Sequence, residues 1–192
     1  YEHVLGAVSG AWWHTNTCTD GTPNGYAIFT VNDNSVDNFI YKPVDLDESY
    51  QMRVYNGSQK YTGSKKLTFG WPEQYHGCFI ADVFNDDAEN WKVEFIQNGV
   101  ATPMTRVTEK LRDWCMFAYF INENGRSPKN TAYHTGKLHY WTLPAPCGDP
   151  AKEKDWEIRA TYTVPTSGKV NVYTVNSLQV DYTGFPATLA DE

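Results

Sequence analysis

Basic residues are scarce in this sequence. Sixteen Lys and Arg stand against 23 Asp and Glu, for a net charge of -7 and a pI near 5.2. A protein that grips a phosphate backbone needs a basic stripe. Lys65–Lys66 and Lys152–Lys154 are too short to make one, so nucleic acid is excluded as a partner. Long apolar runs are missing too. None approaches the roughly 20 residues of a membrane-spanning helix. The four cysteines, Cys18, Cys78, Cys115 and Cys147, contain no CxxC pair, which excludes the usual zinc spacing. They allow two disulfides in three ways, or free packed thiols.

Catalytic signatures are equally absent. The sequence holds no HExxH, no HxH, no GxSxG elbow, no Walker A loop and no GxGxxG. His134 and His139 are five apart in a loop-to-strand segment, which is not one face of a helix. They read as single residues on a sheet rim, without a metal. Asp45, Asp47 and Glu48 read as an acidic linker. Asp86, Asp87 and Glu89 read as a solvated turn, because the Gly and the ligand spacing of a calcium loop are missing. No catalytic residue, metal ligand or cofactor is assigned to these residues. There is also no initiator Met and no signal peptide, so Tyr1 is expected to be a cut in a longer protein.

What is present is aromatic and β-forming. Aromatics make up 15% of the chain, with 7 Trp and 13 Tyr. Val4–Trp13 is an apolar, small-residue run expected to be a buried strand. A turn-rich loop, Thr15–Asn24, follows. Strands are expected at Tyr26–Val31 and Val36–Tyr41, completing a β-meander. Further strands are expected at Tyr50–Tyr55, Leu67–Phe69, Phe79–Phe84, Trp91–Ile96, Leu138–Leu143, Trp156–Val164 and Val170–Val175. In the Trp91 and Trp156 segments apolar and polar residues alternate. Asn98-Gly99 marks a hairpin, and Pro165–Gly168 joins the last two strands. Thr108–Phe120 is the one expected helix, capped by Thr108, with Leu111, Trp114, Cys115 and Ala118 on one stripe. The fold class is mainly β: a β-sandwich-like domain with one short helix, preceded by a β-meander. The acidic Pro43–Ser49 stretch sets a boundary, giving residues 1–45 and 46–192.

Two features remain for function. Trp12 and Trp13 are adjacent, so on a strand they face opposite ways. Either both faces are covered, or one Trp is free to stack on a sugar or a base. Trp71, in Gly70-Trp71-Pro72, is a similar loop candidate. A packed aromatic or an interdomain seam is the competing reading. Asn56-Gly57-Ser58 fits a glycosylation sequon.

The run Gly6-Ala7-Val8-Ser9-Gly10-Ala11-Trp12-Trp13, followed by Cys18-Thr19-Asp20-Gly21-Thr22-Pro23-Asn24-Gly25-Tyr26, resembles a stretch of calcineurin-like metallophosphoesterases, in particular a bacterial branch in which it opens the C-terminal domain. Leu138-His139-Tyr140-Trp141, Leu143-Pro144 and Trp156–Tyr162 resemble the closing sandwich of the same family. The resemblance implies that residues 1–45 are terminal strands of the phosphoesterase sheet and that 46–192 form the accessory C-terminal domain. It implies a parent that hydrolyses phosphate esters with two divalent ions (Mn, Fe, Zn or Mg). The family's D-x-H, G-D-x-x-D, G-N-H-[DE] and G-H-x-H motifs are absent here, so its ligands are expected upstream. The expected partner is that catalytic domain, and the expected location is periplasmic or secreted. Trp12, Trp13, Asp20 and Asn24 are expected to border the substrate pocket. The ligand would be a phosphorylated small molecule or a glycan. The alternatives are a carbohydrate-binding β-sandwich and a structural interaction domain.

Overall fold

The computed structural model describes residue 8 and residues 17–18, 20–62, 68–114, 139–143 and 146–179. Twelve strands run through them. Gly25–Asn32 (β1) and Ser35–Pro43 (β2) form a hairpin about Asp33, whose φ of 51° fits the tight turn. Met52–Asn56 (β3), Phe79–Val83 (β6), Tyr140–Thr142 (β10) and Thr105–Arg106 (β9) make one four-stranded sheet, in the order β3-β6-β10-β9. Trp91–Gln97 (β7), Val100–Pro103 (β8), Trp156–Thr163 (β11) and Val170–Val175 (β12) make the second, in the order β12-β11-β7-β8. Lys60–Thr62 (β4) pairs with Thr68–Gly70 (β5). Every pairing among the described residues is antiparallel.

The two four-stranded sheets pack face to face. Met52, Val54, Phe79, Ala81, Val83 and Trp141 from the first sheet meet Trp91, Val93, Phe95, Ile158, Ala160 and Tyr162 from the second. The alternation in β7 and β11 that marked them as half-buried strands produces this layer. Phe79 touches Phe95 at 4.9 Å and Trp156 at 4.7 Å between ring centroids. Such aromatic pairs add about 0.5–1.5 kcal/mol beyond area burial.

The β1–β2 hairpin joins the same core through Phe39 and Tyr41. Side chains of the β11–β12 turn and of β12 cap its backbone. Ser167 Oγ donates to Asp37 O at 2.7 Å, and Asn171 Nδ2 donates to Asn38 Oδ1 at 2.9 Å and to Phe39 O at 3.2 Å.

The expected strands in the described residues are present, within a residue or two at their ends. The helix expected at Thr108–Phe120 is not formed over 108–113, which run as irregular chain; only Trp114 has helical geometry before the described segment ends. Leu111 and Trp114 are nonetheless buried as the apolar stripe implied. Their burial comes from packing on a sheet, which does not require helical winding. The expected strand at 4–13 lies outside the described residues except for Val8. Cys78 and Cys147 are free thiols, and Cys115 is not among the described residues. The sequon is spent on structure: Asn56 Nδ2 donates to Asp149 Oδ1 at 3.1 Å, and Ser58 Oγ accepts from Gly77 N at 2.8 Å.

Candidate functional site

The first sheet is buried on both faces. Met52 and Val54 of β3 point into the sandwich, so Arg53 and Tyr55 point the other way. On that second face Arg53 stands opposite Asp82 of β6, and Asp82 stands opposite Tyr140 of β10. Three strands thus place Arg53, Asp82 and Tyr140 in one row. Trp71, Val107, Leu111 and Trp114 cover the apolar part of this face, with Tyr55, Ile80 and Tyr140 beneath them. Asp113 and the 17–24 loop cover the polar part.

The polar part is a cluster of charges away from water. Arg53 Nη1 lies 3.8 Å from Asp82 Oδ2 and 4.0 Å from Asp113 Oδ2, and all three side chains are 1% exposed or less. Arg53 Nε donates to Tyr50 Oη at 3.0 Å, and its guanidinium sits 4.9 Å from the Phe84 ring centroid. Tyr55 Oη donates to Asp113 Oδ2 at 2.6 Å. His139 Nδ1 is 2.7 Å from Asp82 Oδ1, an ion pair without hydrogen-bond alignment, and His139 Nε2 is 3.9 Å from Asp20 Oδ2. Burial opposes charge on the His139 ring. The carboxylates of Asp82, Asp20 and Asp86 outweigh it and hold the pKa at about 9. The ring is therefore an imidazolium at neutral pH. Burial, with Asp82, Asp113 and Asp20 nearby, pushes the Tyr140 phenol well above its usual range.

The 17–24 loop is fastened from within and from below. Thr17 bridges Pro23, Thr17 Oγ1 donates to Thr22 O at 2.9 Å, and Thr22 N donates to Asp20 Oδ1 at 2.9 Å. Arg53 Nη1 donates to the Gly21 carbonyl, and Tyr41 Oη donates to the Pro23 carbonyl at 2.5 Å. Gly21 has φ of +90°, and a Cβ there would lie 2.4 Å from Asp113 Cγ. Only glycine lets the loop sit this close to the cluster. Of the residues expected to border a pocket, Asp20 belongs to this cluster and also braces its own turn. Asn24 Nδ2 donates to Val8 O at 2.8 Å. Trp12 and Trp13 lie outside the described residues.

A second buried acid adjoins the cluster. Asp86 Oδ2 accepts from Arg106 Nε at 2.7 Å and from Trp141 Nε1 at 3.2 Å. Burial raises its pKa to about 6 against the pull of Arg106 and His139. The expectation of a solvated turn at Asp86, Asp87 and Glu89 therefore fails for Asp86 alone: Glu89 is exposed, and Asp87 accepts from the backbone of Glu89 and Asn90. His139 also departs from its reading as a plain rim residue. Trp71 is not a free stacking platform: it is buried, 5.3 Å from the Tyr55 ring and 5.7 Å from Tyr140.

The arrangement does not fit a metal centre. Both imidazole nitrogens already face carboxylates, Arg53 occupies the middle, and no group of three His, Cys, Asp or Glu among the described residues converges as ligands would. Sequence reading missed the cluster because its members are scattered over positions 20, 53, 82, 113 and 139. The available signal was a charge inside an apolar strand: Asp82 within Phe79–Phe84, and Arg53 within Tyr50–Tyr55.

Compared with known families, residues 2–165 match the family model described as the C terminal of calcineurin-like phosphoesterase. No curated protein and no solved structure is matched.

Proposed function

Because the chain belongs to the family formed by the C-terminal domain of calcineurin-like phosphoesterases, we propose that it serves its parent enzyme as a non-catalytic accessory domain, stabilising the catalytic domain or shaping the entrance to its active site. One observation carries this reading. The Arg53, Asp82 and Asp113 side chains are enclosed, and Arg53 fastens the Gly21 carbonyl of the 17–24 loop to the sandwich rather than facing a ligand. In a C-terminal domain the catalytic domain precedes this loop in the chain. A rigid mount there fixes how the domain is carried. In this reading two divalent ions and the phosphate chemistry belong to the upstream domain, and Asp20, Asn24, Trp12 and Trp13 border the pocket rather than react in it.

The test compares the full-length phosphoesterase with a form lacking this domain. Deletion is expected to lower the melting temperature of the catalytic part or to change KM for bulky phosphoesters more than for small ones. The 192-residue chain alone is expected to release no phosphate with added Mn²⁺. Turnover by the isolated chain, or a deletion that leaves stability and KM unchanged, overturns the reading.

A further inference from the structure

The β1–β2 hairpin carries apolar side chains that its own sandwich leaves uncovered. Tyr26 and Ile28 are 48% and 42% exposed. They alternate with Ala27, which packs on the core, and Ile28 stands opposite Ile40 of β2. Ile40 in turn lines a groove of about 320 Å³ with Val170, Val172 and Tyr173 of β12. Val170 and Val172 are 52% and 54% exposed. One apolar surface thus runs from the hairpin onto the edge of the sandwich. Asp47 and Glu48 also line the groove. Lys42 stands opposite Tyr26 on the same face, but its Nζ is engaged, donating to the carbonyls of Pro43 and Leu46.

Neither β1 nor β12 contains a charged residue, although charged residues make up 20% of the chain. Edge strands that meet only water are normally guarded by charge. Contiguous exposed apolar surface beside a polar rim marks an interaction site.

We propose that the surface formed by Tyr26, Ile28, Ile40, Val170 and Val172 is where the phosphoesterase domain of the same chain docks. The inference rests on the accessory-domain reading and names its contact face. Three observations select this occupant. The family places the domain at the C-terminal end of a phosphoesterase, so that partner is tethered. A tether supplies a local concentration on the order of millimolar, which fills a modest patch that a free partner would leave empty. Asn24, the residue just before β1, holds the Val8 carbonyl at 2.8 Å, so an upstream residue of the chain lies beside the start of the hairpin. The groove offers carboxylates and no cation. The docking face is therefore apolar, with Lys or Arg placed against Asp47 and Glu48.

The test is hydroxyl-radical footprinting of the full-length phosphoesterase, with each rate corrected for the residue's intrinsic reactivity. Val100, on the uncharged edge strand β8 and 67% exposed, is the internal control. Tyr26, Ile28 and Val172 are expected to label several-fold more slowly than Val100. Ile28→Asp combined with Val172→Asp should restore labelling of Tyr26 and split a single melting transition into two. Both positions are exposed, so the domain itself should fold normally. Labelling at the control rate overturns the proposal. So does protection that disappears on dilution, which would make the occupant a second copy. If deletion of the domain alters the enzyme while the patch labels like Val100, the accessory reading stands and only the docking face falls.

Discussion

Replacing Arg53 with Met removes one charge from the centre of the cluster and keeps most of the side-chain volume. The guanidinium lies 3.8 Å from Asp82 and 4.0 Å from Asp113. An exposed pair at that distance is worth about 0–1 kcal/mol. These side chains are 1% exposed or less, so the surface figure does not apply. Removing one partner of a buried pair costs about 3–5 kcal/mol, because the other charge is stranded. Two contacts soften the loss. His139 stays 2.7 Å from Asp82, and Tyr55 still donates to Asp113. One contact aggravates it, since the Gly21 carbonyl loses its donor. An unmade buried hydrogen bond costs about 1–3 kcal/mol. The net expectation is a loss of about 4 kcal/mol.

For a chain of this size each kcal/mol moves the melting temperature by about 2–4 °C, so Arg53→Met should melt about 8–16 °C lower. Circular dichroism melts and urea titration measure this directly. The second arm is Arg53→Met with Asp113→Asn. Removing the stranded carboxylate should recover part of the loss, so the double variant is more stable than the sum of the two single losses predicts. A loss below about 1 kcal/mol, the value of an exposed pair, would refute the buried-cluster argument. Strict additivity in the double variant would refute the stranding argument.

Gly21→Ala should be far more damaging than Gly99→Ala, measured by the same melts. Both glycines have positive φ, which costs an L residue about 1–2 kcal/mol, but only at Gly21 would the new methyl meet Asp113, at 2.4 Å, while at Gly99 it meets nothing within 4 Å. His139→Gln should flatten stability between pH 6.5 and 9. The folded pKa of about 9 lies above the usual 6.5, so the charged ring stabilises fully below pH 6.5 and its contribution, about 3 kcal/mol, is lost as pH rises to 9. A wild-type stability that does not fall across that window would contradict the assignment. Trp71→Ala should cost about 3–5 kcal/mol through the cavity left against Tyr55 and Tyr140, and unchanged urea unfolding would return Trp71 to the surface.

The strands were legible where one face is wet. β7 and β11 alternate apolar and polar residues because one side of their sheet packs and the other meets solvent, and β1–β2 and β11–β12 carry their own turn signals. β8 was signalled only by the Asn98-Gly99 turn that joins it to β7, and β9 was not legible. Val100–Pro103 and Thr105–Arg106 are too short to show a period and exist because β7 and β10 offer them a partner. The segment at 108–113 misled for a related reason. Two buried residues three apart fit a helical stripe, and they fit equally well an irregular strap lying on Tyr55, Ile80 and Tyr140. The site was least legible of all. Its charges come from five separate segments, and tertiary pairing alone makes neighbours of them.

That pairing also explains why charge is kept in a place that apolar residues could fill. β3 has apolar partners on both faces, so its burial alone would tolerate a slip against β6. A slip of one residue would turn Arg53 into the sandwich core, among Phe79, Ala81 and Val83, and would set Met52 or Val54 over Asp82. An unpaired guanidinium in that core, together with an uncompensated Asp82, costs far more than the native pairing gains. The row Arg53–Asp82–Tyr140 therefore admits one register. In that register the Arg53 guanidinium reaches the Gly21 carbonyl. The strand alignment of the sandwich and the fastening of the 17–24 loop are thus set by the same residue.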